Sequence, residues 1–401
     1  MTHLSSRTRA VRAAIASDGE HGAVVPPIHL SSNFTFAGLG QKRRYDYTRS
    51  GNPTRDHLAD ALADLEGGAG ASITATGMGA ITAALSLGAD GPLPAGARVL
   101  APHDCYGGTY RLLAALDARG VISVDFVDQT DDVALRAALE RGPRLVWIET
   151  PSNPLLRVTD IAAVAAAAHA RGALVVADNT FLSPVLQRPL ELGADLVVHS
   201  TTKYINGHSD VVGGALVARD AALAERVAWW VNCLGLSGAP FDAYLTLRGL
   251  RTLHLRMQQH EANARAVLEH LRGHAAVARV YHPSLPDHRG HAIAARQQRG
   301  FGPMLSFELH ADARDSFAVV DAFTANLRCF SLAESLGGVE SLVAHPASMT
   351  HAAMTPEARQ RAGIGDALLR LSVGVEAAED LVADLRAALE AAQRVAGRRA
   401  A

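Results

Sequence analysis

Short apolar runs alternate with alanine-rich stretches from about residue 70 to 217. Five of the runs are RVLAP (98–102), VISVDFV (121–127), RLVWIE (144–149), ALVVAD (173–178) and ADLVVHS (194–200). They are largely apolar throughout, which is typical of strands buried on both faces of a parallel sheet. The segments between them have the length and composition of helices. The pattern predicts an α/β fold in which helices cover both faces of a mostly parallel sheet.

Residues that begin and end helices lie at the expected places between these runs. Asp131 or Asp132 can cap the start of DDVALRAALER and Gly142 ends it, while Asp160 and Gly172 bound DIAAVAAAAHAR. Short acceptor side chains satisfy the free N–H groups at a helix start, and glycine readily adopts the conformation that ends a helix. Both segments are therefore predicted to be helices.

The pattern changes after about residue 250, which indicates a second domain. Longer helical stretches there surround a few strand-like runs, such as MLSFEL (304–309) and LLRLSVGV (368–375). The beginning of the chain is instead irregular and rich in Ser, Pro and Gly. We predict an N-terminal arm (1–60) that contributes to a neighbouring subunit, a large domain (61–250) and a smaller α+β domain (251–401).

Composition narrows the classes of function. The chain has 401 residues, 48% hydrophobic content and a formal net charge of −2. It can therefore form a large core, but it offers no basic surface for nucleic acid or acidic lipid. No apolar run is long enough for a bilayer span, and the N-terminus lacks a signal-peptide pattern. We expect a cytoplasmic protein that acts on small molecules, with reduced cysteines and no metal site.

Lysine is nearly absent from the chain. Of the 38 basic residues, 36 are arginine, and only Lys42 and Lys203 are lysine. A guanidinium stays protonated and cannot act as a primary amine, so amine chemistry is a candidate reason for a lysine to remain. Chance is the alternative, particularly for Lys42, whose role stays open.

Glycine and polar residues follow the predicted strands at their carboxyl ends, where open α/β sheets bind ligands. After the strand-like SITAT (72–76), Gly77 and Met78 lead into a helix whose free N–H groups suit a phosphate. The alternative is a tight strand-to-helix turn that binds no ligand. RLVWIE runs into a turn bounded by prolines that contains Asn153, a candidate hydrogen-bond donor of a kind common in turns.

The next two strands lead to charged groups. ALVVAD ends on Asp178, and Ser200 at the end of ADLVVHS precedes Thr201, Thr202 and Lys203. A carboxylate for a pyridinium nitrogen, hydroxyls and a helix end for a phosphate, and an amine for an aldehyde are the groups that bind pyridoxal 5′-phosphate (PLP). A surface lysine and an N-cap aspartate are the alternative. The combination favours a PLP site.

Eight segments together form a specific pattern: YDYTRSGNPTRD (45–56), TGMGAI (76–81), APHDCYGGTYR (101–111), ETPSNPLLRV (149–158), VVADNTFLSP (175–184), HSTTKYINGHSDVVGG (199–214), LRGLRTL (247–253) and LAESLGGVESL (332–342). With them the chain resembles, nearly from end to end, the γ-subgroup of fold-type I PLP enzymes, and most closely the bacterial cystathionine γ-synthases. The resemblance implies an aspartate aminotransferase-like transferase fold with PLP as cofactor.

The resemblance also implies roles for the matching positions. Lys203 would hold PLP through a Schiff base, Asp178 would pair with the pyridine nitrogen, and Tyr106 would stack on the ring. The phosphate would be held by Gly77, Met78, Ser200 and Thr202, together with Tyr47 and Arg49 of the neighbouring subunit. Such a shared site implies a homo-oligomer, built in this group as a dimer of dimers.

The implied reaction is a γ-replacement of methionine biosynthesis and transsulfuration. It would form L-cystathionine from L-cysteine and O-succinyl-L-homoserine or its O-acetyl ester. Arg370 would bind the substrate α-carboxylate, with Ser335 and Asn153 beside it. Asp46 and Glu334 match acidic positions near the substrate entrance, where they would attract the amino group of cysteine, and Arg111 would meet a distal carboxylate. Two exposed acids on loops are the alternative.

Three alternatives to this reaction stay open. Ser50 stands where close synthases can carry a second arginine and where cystathionine γ-lyases tend to have serine, so a γ-lyase or a bifunctional enzyme is the main alternative. Direct sulfhydrylation with sulfide is another. A PLP-binding protein without turnover is the third, although Tyr106, Lys203 and Arg370 together speak against it. Gly108 disfavours a methionine γ-lyase, which typically has cysteine there.

Overall fold

The structure is a computed structural model that describes residues 4–312, 314–352 and 354–399. Its strands are β1 (Gly70–Thr74), β2 (Ala97–Pro102), β3 (Ile122–Val127), β4 (Leu145–Glu149), β5 (Leu174–Asp178), β6 (Leu196–His199), β7 (Gly214–Ala218), β8 (Val277–Tyr281), β9 (Met304–Leu309), β10 (Ser331–Leu332), β11 (Leu342–Ala344) and β12 (Leu368–Ser372). Its helices are α1 (Ser6–Arg12), α2 (Pro53–Glu66), α3 (Gly77–Ala84), α4 (Gly107–Ala118), α5 (Asp132–Glu140), α6 (Ile161–His169), α7 (Ser183–Leu186), α8 (Ala221–Cys233), α9 (Pro240–Leu250), α10 (Leu253–Arg272), α11 (His291–Gln297), α12 (Ser316–Thr324), α13 (Pro356–Ala362) and α14 (Ala378–Arg399).

A seven-stranded sheet forms the larger half of the molecule, in the order β1-β7-β6-β5-β4-β2-β3. Strands β3, β2, β4, β5 and β6 run parallel, and only β7 is antiparallel to its two neighbours. The five apolar runs described above are the five parallel strands, so the predicted mostly parallel sheet is confirmed. Because these strands are parallel, their carboxyl ends meet along one edge.

Helices cover both faces of this sheet. Along β4, Leu145 and Trp147 face one layer, formed with α3, α4 and α8, whereas Val146 and Ile148 face α5 and α6 on the other side. This alternation explains why the run is apolar throughout. Asp131 and Asp160 accept hydrogen bonds from backbone N–H groups at the starts of α5 and α6, as predicted.

A second sheet of five strands follows, in the order β10-β11-β12-β9-β8, and is mainly antiparallel. Leu369 and Leu371 of β12 pack with α10, α12 and α14 in its core. Because neighbouring side chains alternate across a strand, Arg370 points to the opposite face. It contacts Asn153 there, in the loop after β4. This contact joins the two sheets at the edge where the parallel strands end.

The N-terminal segment is less irregular than the sequence predicts. Ser5 caps α1, and Asn52 caps α2 with Pro53 in its first turn. Both are ordinary helix-start signals that a Ser-, Pro- and Gly-rich composition hides. Helix α2 continues past residue 60, so the proposed limit of the arm falls inside it. The domain limits at 60 and 250 stay predictions.

In the part of the chain that the structure describes, no helix has the length and apolar composition needed to cross a membrane.

Candidate active site

The carboxyl ends of β4, β5 and β6 bring Glu149, Asp178 and the Ser200–Lys203 segment to one edge of the sheet. Helix α3 begins beside them, since a Cβ added to Gly77 would lie 2.9 Å from the Cβ of Ser200. Arg370 reaches the same edge from the second sheet. The cluster that the sequence predicts from separate strand ends is therefore assembled in one place.

Lys203 is largely buried at the centre of this cluster. Its Nζ donates a hydrogen bond of 2.7 Å to Oγ of Ser335. Burial, and to a smaller extent the nearby charge of Arg370, lower the pKa of the Lys203 amine to about 8, and the charge of Glu334 opposes them. The amine is thus closer to its neutral, nucleophilic form at neutral pH than an exposed lysine is. Ser335 has a φ of +84°, a conformation that is costly for a side chain with Cβ and that often marks functional sites.

Asp178 is held at the end of β5 by its own turn. The backbone N–H of Thr180 donates to Oδ1 of Asp178 at 2.9 Å, and the Thr180 hydroxyl accepts from the N–H of Ser200 at 2.9 Å. Thr180 therefore ties the ends of β5 and β6 together. Burial raises the pKa of Asp178, while the hydrogen bonds from Thr180 and the charge of His199 act in the opposite direction.

A cradle of small residues and hydroxyls lies at the start of α3. Thr76 caps this helix, its Oγ1 accepting from the N–H of Gly79 at 2.9 Å. The helix start is partly positive and its first N–H groups lack partners within the helix. Ser200 lies against Gly77, and the Thr202 hydroxyl exchanges hydrogen bonds with the backbone of Gly213. Met78 is half-buried beside them.

Tyr106 stands at the start of α4 with 42% of its surface exposed. Its backbone N–H donates to Oε2 of Glu149 at 2.8 Å. A Cβ added to Gly108 would lie 2.5 Å from the Tyr106 ring and 2.8 Å from the sulfur of Met78. The glycine therefore leaves the space that the ring occupies.

Arg370 is a buried cation without an acidic partner. It is 3% exposed, and no ion pair among residues 4–312, 314–352 and 354–399 includes it. Its Nη1 donates to Oδ1 of Asn153 at 2.9 Å and its Nη2 to the carbonyl oxygen of Ser335 at 2.8 Å, whereas Nε has no partner. Burial lowers the pKa of this guanidinium to about 10. Such a group is ready to bind a carboxylate.

The remaining predicted residues lie farther out. The charges of Arg111 and Glu334 both influence the pKa of Tyr106, so these exposed side chains flank its phenol. In the arm, Tyr47 is half exposed and the Arg49 guanidinium lies 5.7 Å above its ring. Asp46 forms an ion pair of 2.9 Å with Lys42 and accepts a hydrogen bond from Ser50. These partners lower the pKa of Asp46 to about 2.

Several polar residues at this edge of the sheet are not among the site residues predicted from the sequence. They are Glu149, Thr180 and the buried pair of His199 with Glu66, whose Nε2 and Oε1 are 2.6 Å apart. Glu149 ends the strand RLVWIE as Asp178 ends ALVVAD, and that parallel is a signal in the sequence. Glu66 lies 133 residues before His199, so only the fold brings the pair together.

Comparison with known proteins identifies the family. The sequence profile described as Cys/Met metabolism PLP-dependent enzyme matches residues 7–390. The chain belongs to this family. Cystathionine γ-synthase of Escherichia coli (strain K12) is 55% identical over 96% of this chain and 98% of its own length. Cystathionine β-lyase of Lactococcus lactis subsp. cremoris (strain MG1363) is 46% identical over 96% and 99%.

A solved structure agrees with the sequence comparison. Cystathionine γ-synthase from Xanthomonas oryzae pv. oryzae, in complex with cystathionine, is 61% identical and covers 98% of this chain and 100% of its own, with a TM-score of 0.95. The predicted fold class, an α/β fold-type I PLP-dependent enzyme, is confirmed, as are the family resemblance and the cofactor.

The residues present fit PLP. The cofactor needs an amine for its aldehyde, an anion for its pyridinium nitrogen and donors for its phosphate. Lys203 offers an amine with a lowered pKa, Asp178 a carboxylate at a strand end, and the start of α3 offers unpaired N–H groups. Gly77 keeps that helix start close to Ser200 in a way that any larger residue would prevent.

Proposed function

We propose that this enzyme forms L-cystathionine by γ-replacement, from L-cysteine and O-succinyl-L-homoserine or O-acetyl-L-homoserine. The observation that carries the proposal is the link between a base and a carboxylate-binding group. Lys203 donates to the hydroxyl of Ser335, and Arg370 donates to the carbonyl of the same residue. An amino acid held by Arg370 would thus present its Cα to the Lys203 amine. Similarity to γ-synthases supports this reaction.

Lys203 is proposed to move the protons. A γ-replacement removes protons from Cα and then Cβ and later returns them, and a single base that reaches both carbons can perform these transfers. An amine with a pKa of about 8 is deprotonated in a substantial fraction of molecules near neutral pH. Its hydrogen bond to Ser335 directs it toward the Arg370 side of the site. PLP, when bound, supplies the electron sink that makes both carbons acidic.

Arg370 and Asn153 are proposed to hold the substrate α-carboxylate. Nε of Arg370 has no partner, and the two Nη atoms are fixed by Asn153 and Ser335. The guanidinium plane is therefore oriented before the substrate arrives, which reduces the entropy lost on binding. A carboxylate would also compensate the buried positive charge.

The cofactor positions follow the same reasoning. We assign the pyridinium partner to Asp178, the ring contact to Tyr106, and the phosphate to Gly77, Met78, Ser200 and Thr202. Tyr47 and Arg49 are exposed in the single chain. They are proposed to complete the phosphate site of a neighbouring subunit in a homo-oligomer, a dimer of dimers. The cytoplasmic location stays a prediction.

The second substrate is proposed to meet Glu334, Arg111 and Asp46 at the entrance. Glu334 and Asp46 can attract the ammonium group of cysteine, which sulfide lacks. Lys42 already neutralises part of the charge of Asp46, so Glu334 is expected to contribute more. This interpretation gives Lys42, the second of the two lysines, a structural role in placing Asp46.

Steady-state kinetics on four reactions test the proposal. With either ester, cysteine is expected to give cystathionine with a larger kcat/KM than sulfide gives homocysteine. Cystathionine alone is expected to react more slowly. Faster release of 2-oxobutanoate from cystathionine would establish a γ-lyase instead, and faster release of pyruvate a β-lyase such as the Lactococcus relative. PLP binding without turnover of any substrate would establish a binding protein. Lys203→Ala serves as the inactive control.

A further inference from the structure

Glu149 is a buried carboxylate that neighbours the half-buried carboxylate of Asp178. They end the adjacent parallel strands β4 and β5 and are direct partners in the register of the sheet. Glu149 is only 6% exposed. Among residues 4–312, 314–352 and 354–399, no ion pair includes either of them. When two neighbouring carboxylates have little access to water, the form in which both are ionised is disfavoured.

The surroundings of the two groups decide which one is ionised. Asp178 receives hydrogen bonds from the backbone and side chain of Thr180 and lies near His199. Glu149 receives the backbone N–H groups of Tyr106 and Asn153, but Asp104 and Asp178 both add negative charge around it. Asp104 is itself bound to Arg157 and Ser152, and the nearby Cys105 is a buried thiol. Glu149 therefore has no cation of its own.

Burial and the neighbouring acids act in the same direction on Glu149. They raise its pKa well above the ordinary value of a glutamic acid. A neutral acid can still accept the N–H of Tyr106 through its carbonyl oxygen. The 2.8 Å hydrogen bond to Tyr106 is therefore compatible with a protonated side chain.

We propose that Glu149 is a positioning residue that carries a proton in the working enzyme. In this form it fixes the start of α4, and with it the ring of Tyr106, while Asp178 supplies the negative charge at the ring edge of the site. An ionised Glu149 would compete with Asp178 for the positive charge of the pyridinium. The inference rests on the proposed function to the extent that Tyr106 and Asp178 face the cofactor ring.

Infrared spectroscopy of the holoenzyme tests the protonation directly. A protonated carboxylic acid has a carbonyl stretch that carboxylates lack. This band is expected in the difference spectrum of wild-type enzyme minus Glu149→Gln at pH 8, which removes the contributions of the other acids. Asp195→Asn is the matched control, because Asp195 is also buried but is paired with Arg219 and His169, and it should leave the band in place. A difference spectrum of wild type and Glu149→Gln that lacks this band would overturn the proposal.

Kinetics and cofactor binding test the positioning. Glu149→Gln keeps a neutral acceptor for Tyr106 and is expected to retain kcat and the PLP dissociation constant within about threefold, whereas Glu149→Ala should lose tenfold or more in each. The absorption spectrum of bound PLP should change only in the alanine variant. If glutamine were as damaging as alanine, the proton would not be part of the function. The infrared and PLP-binding results stand whichever reaction the enzyme catalyses, so they separate this inference from the proposed function.

Discussion

Lys203 and Lys42, the two lysines of the chain, lie in opposite surroundings. Lys203 is largely buried and donates to Ser335, while Lys42 is half exposed and paired with Asp46. Burial lowers the pKa of Lys203 to about 8, from an ordinary value of 10.5. Burying its positive charge therefore lowers the free energy of unfolding of the PLP-free protein. This cost disappears when the amine is neutral.

This difference predicts a pH dependence with a definite sign. Below pH 8 both folded and unfolded chains carry the Lys203 proton, and the full cost is present. Between pH 8 and 10.5 only the unfolded chain binds it, so the folded state gains stability as pH rises. Relative to Lys203→Met, the unfolding free energy of PLP-free wild type should rise by up to about 3 kcal/mol between about pH 7 and 11.

Urea denaturation at a fixed protein concentration measures this difference. Lys42→Met is the matched control, because it removes a half-exposed lysine, and it should keep the contribution of Lys203 that Lys203→Met loses. Equal pH dependence of wild type and Lys203→Met would mean that the buried amine has an ordinary pKa, which would also weaken its proposed role as the base.

The sequence predicts individual residues best where they end a strand. Lys203, Asp178 and Gly77 follow recognisable strands, so their meeting at one edge could be predicted from the parallel order alone. Arg370 could not, because its approach depends on how the second sheet packs against the loop of Asn153. Its role in the sequence analysis comes only from the family resemblance. Glu149 was visible at a strand end, but its importance depends on the register with Asp178.

At the scale of elements, two helix starts shape the site. Helix α3 brings its free N–H groups to Ser200, and α4 carries Tyr106 at its first turn. Helix α3 begins with Gly77, and the first turn of α4 contains Gly107 and Gly108. The reason for Gly77 and Gly108 is space rather than backbone conformation. Added Cβ atoms at Gly77 and Gly108 would meet Ser200 and the Tyr106 ring. The sequence shows these glycines, but it does not show which neighbours they accommodate.

Gly108→Ala is therefore expected to displace the Tyr106 ring. The new Cβ would lie 2.5 Å from the ring and 2.8 Å from the sulfur of Met78, closer than van der Waals contact allows. A fall in kcat/KM of about tenfold or more and a shifted PLP absorption band should result, because ring contact and orientation are lost together. The same clash would act against a cysteine at this position.

Gly397→Ala provides the comparison for this variant. Gly397 also lies in a helix, α14, and a Cβ there meets nothing within 4 Å. It should keep wild-type kinetics and spectrum. Unchanged kinetics in Gly108→Ala would show that Tyr106 adapts without cost. The glycine would then not explain the difference from methionine γ-lyases, which typically carry cysteine at this position.

At the scale of the whole molecule, the predicted arm (residues 1–60) exposes apolar side chains in the single chain. Leu30, Phe36 and Leu39 are at least half exposed, with Leu39 fully so. Tyr47 and Arg49 lie on the same segment and are exposed as well. Exposed apolar side chains on a segment that also carries residues proposed to bind the cofactor are typical of an interface between subunits. The arm is expected to be covered by, and to act on, a second copy of the chain.

Subunit mixing tests this sharing quantitatively. Arg49→Ala and Lys203→Ala should each be nearly inactive alone. In a dimer that contains one of each, one site combines both changes and the other has neither. Random exchange places half of the dimers in this mixed form, so about a quarter of wild-type activity should return. Native mass spectrometry of differently tagged subunits verifies that exchange has occurred.

The matched control uses two changes on the same side of the interface. Asp178→Asn and Lys203→Ala both alter residues that one chain contributes to its own site, so each site of a mixed dimer keeps one defect and no activity should return. Recovery in the first mixture but not in the second requires that Arg49 act across the interface. If neither mixture recovers although exchange is complete, each site is built from a single chain, and the exposed arm must have another role.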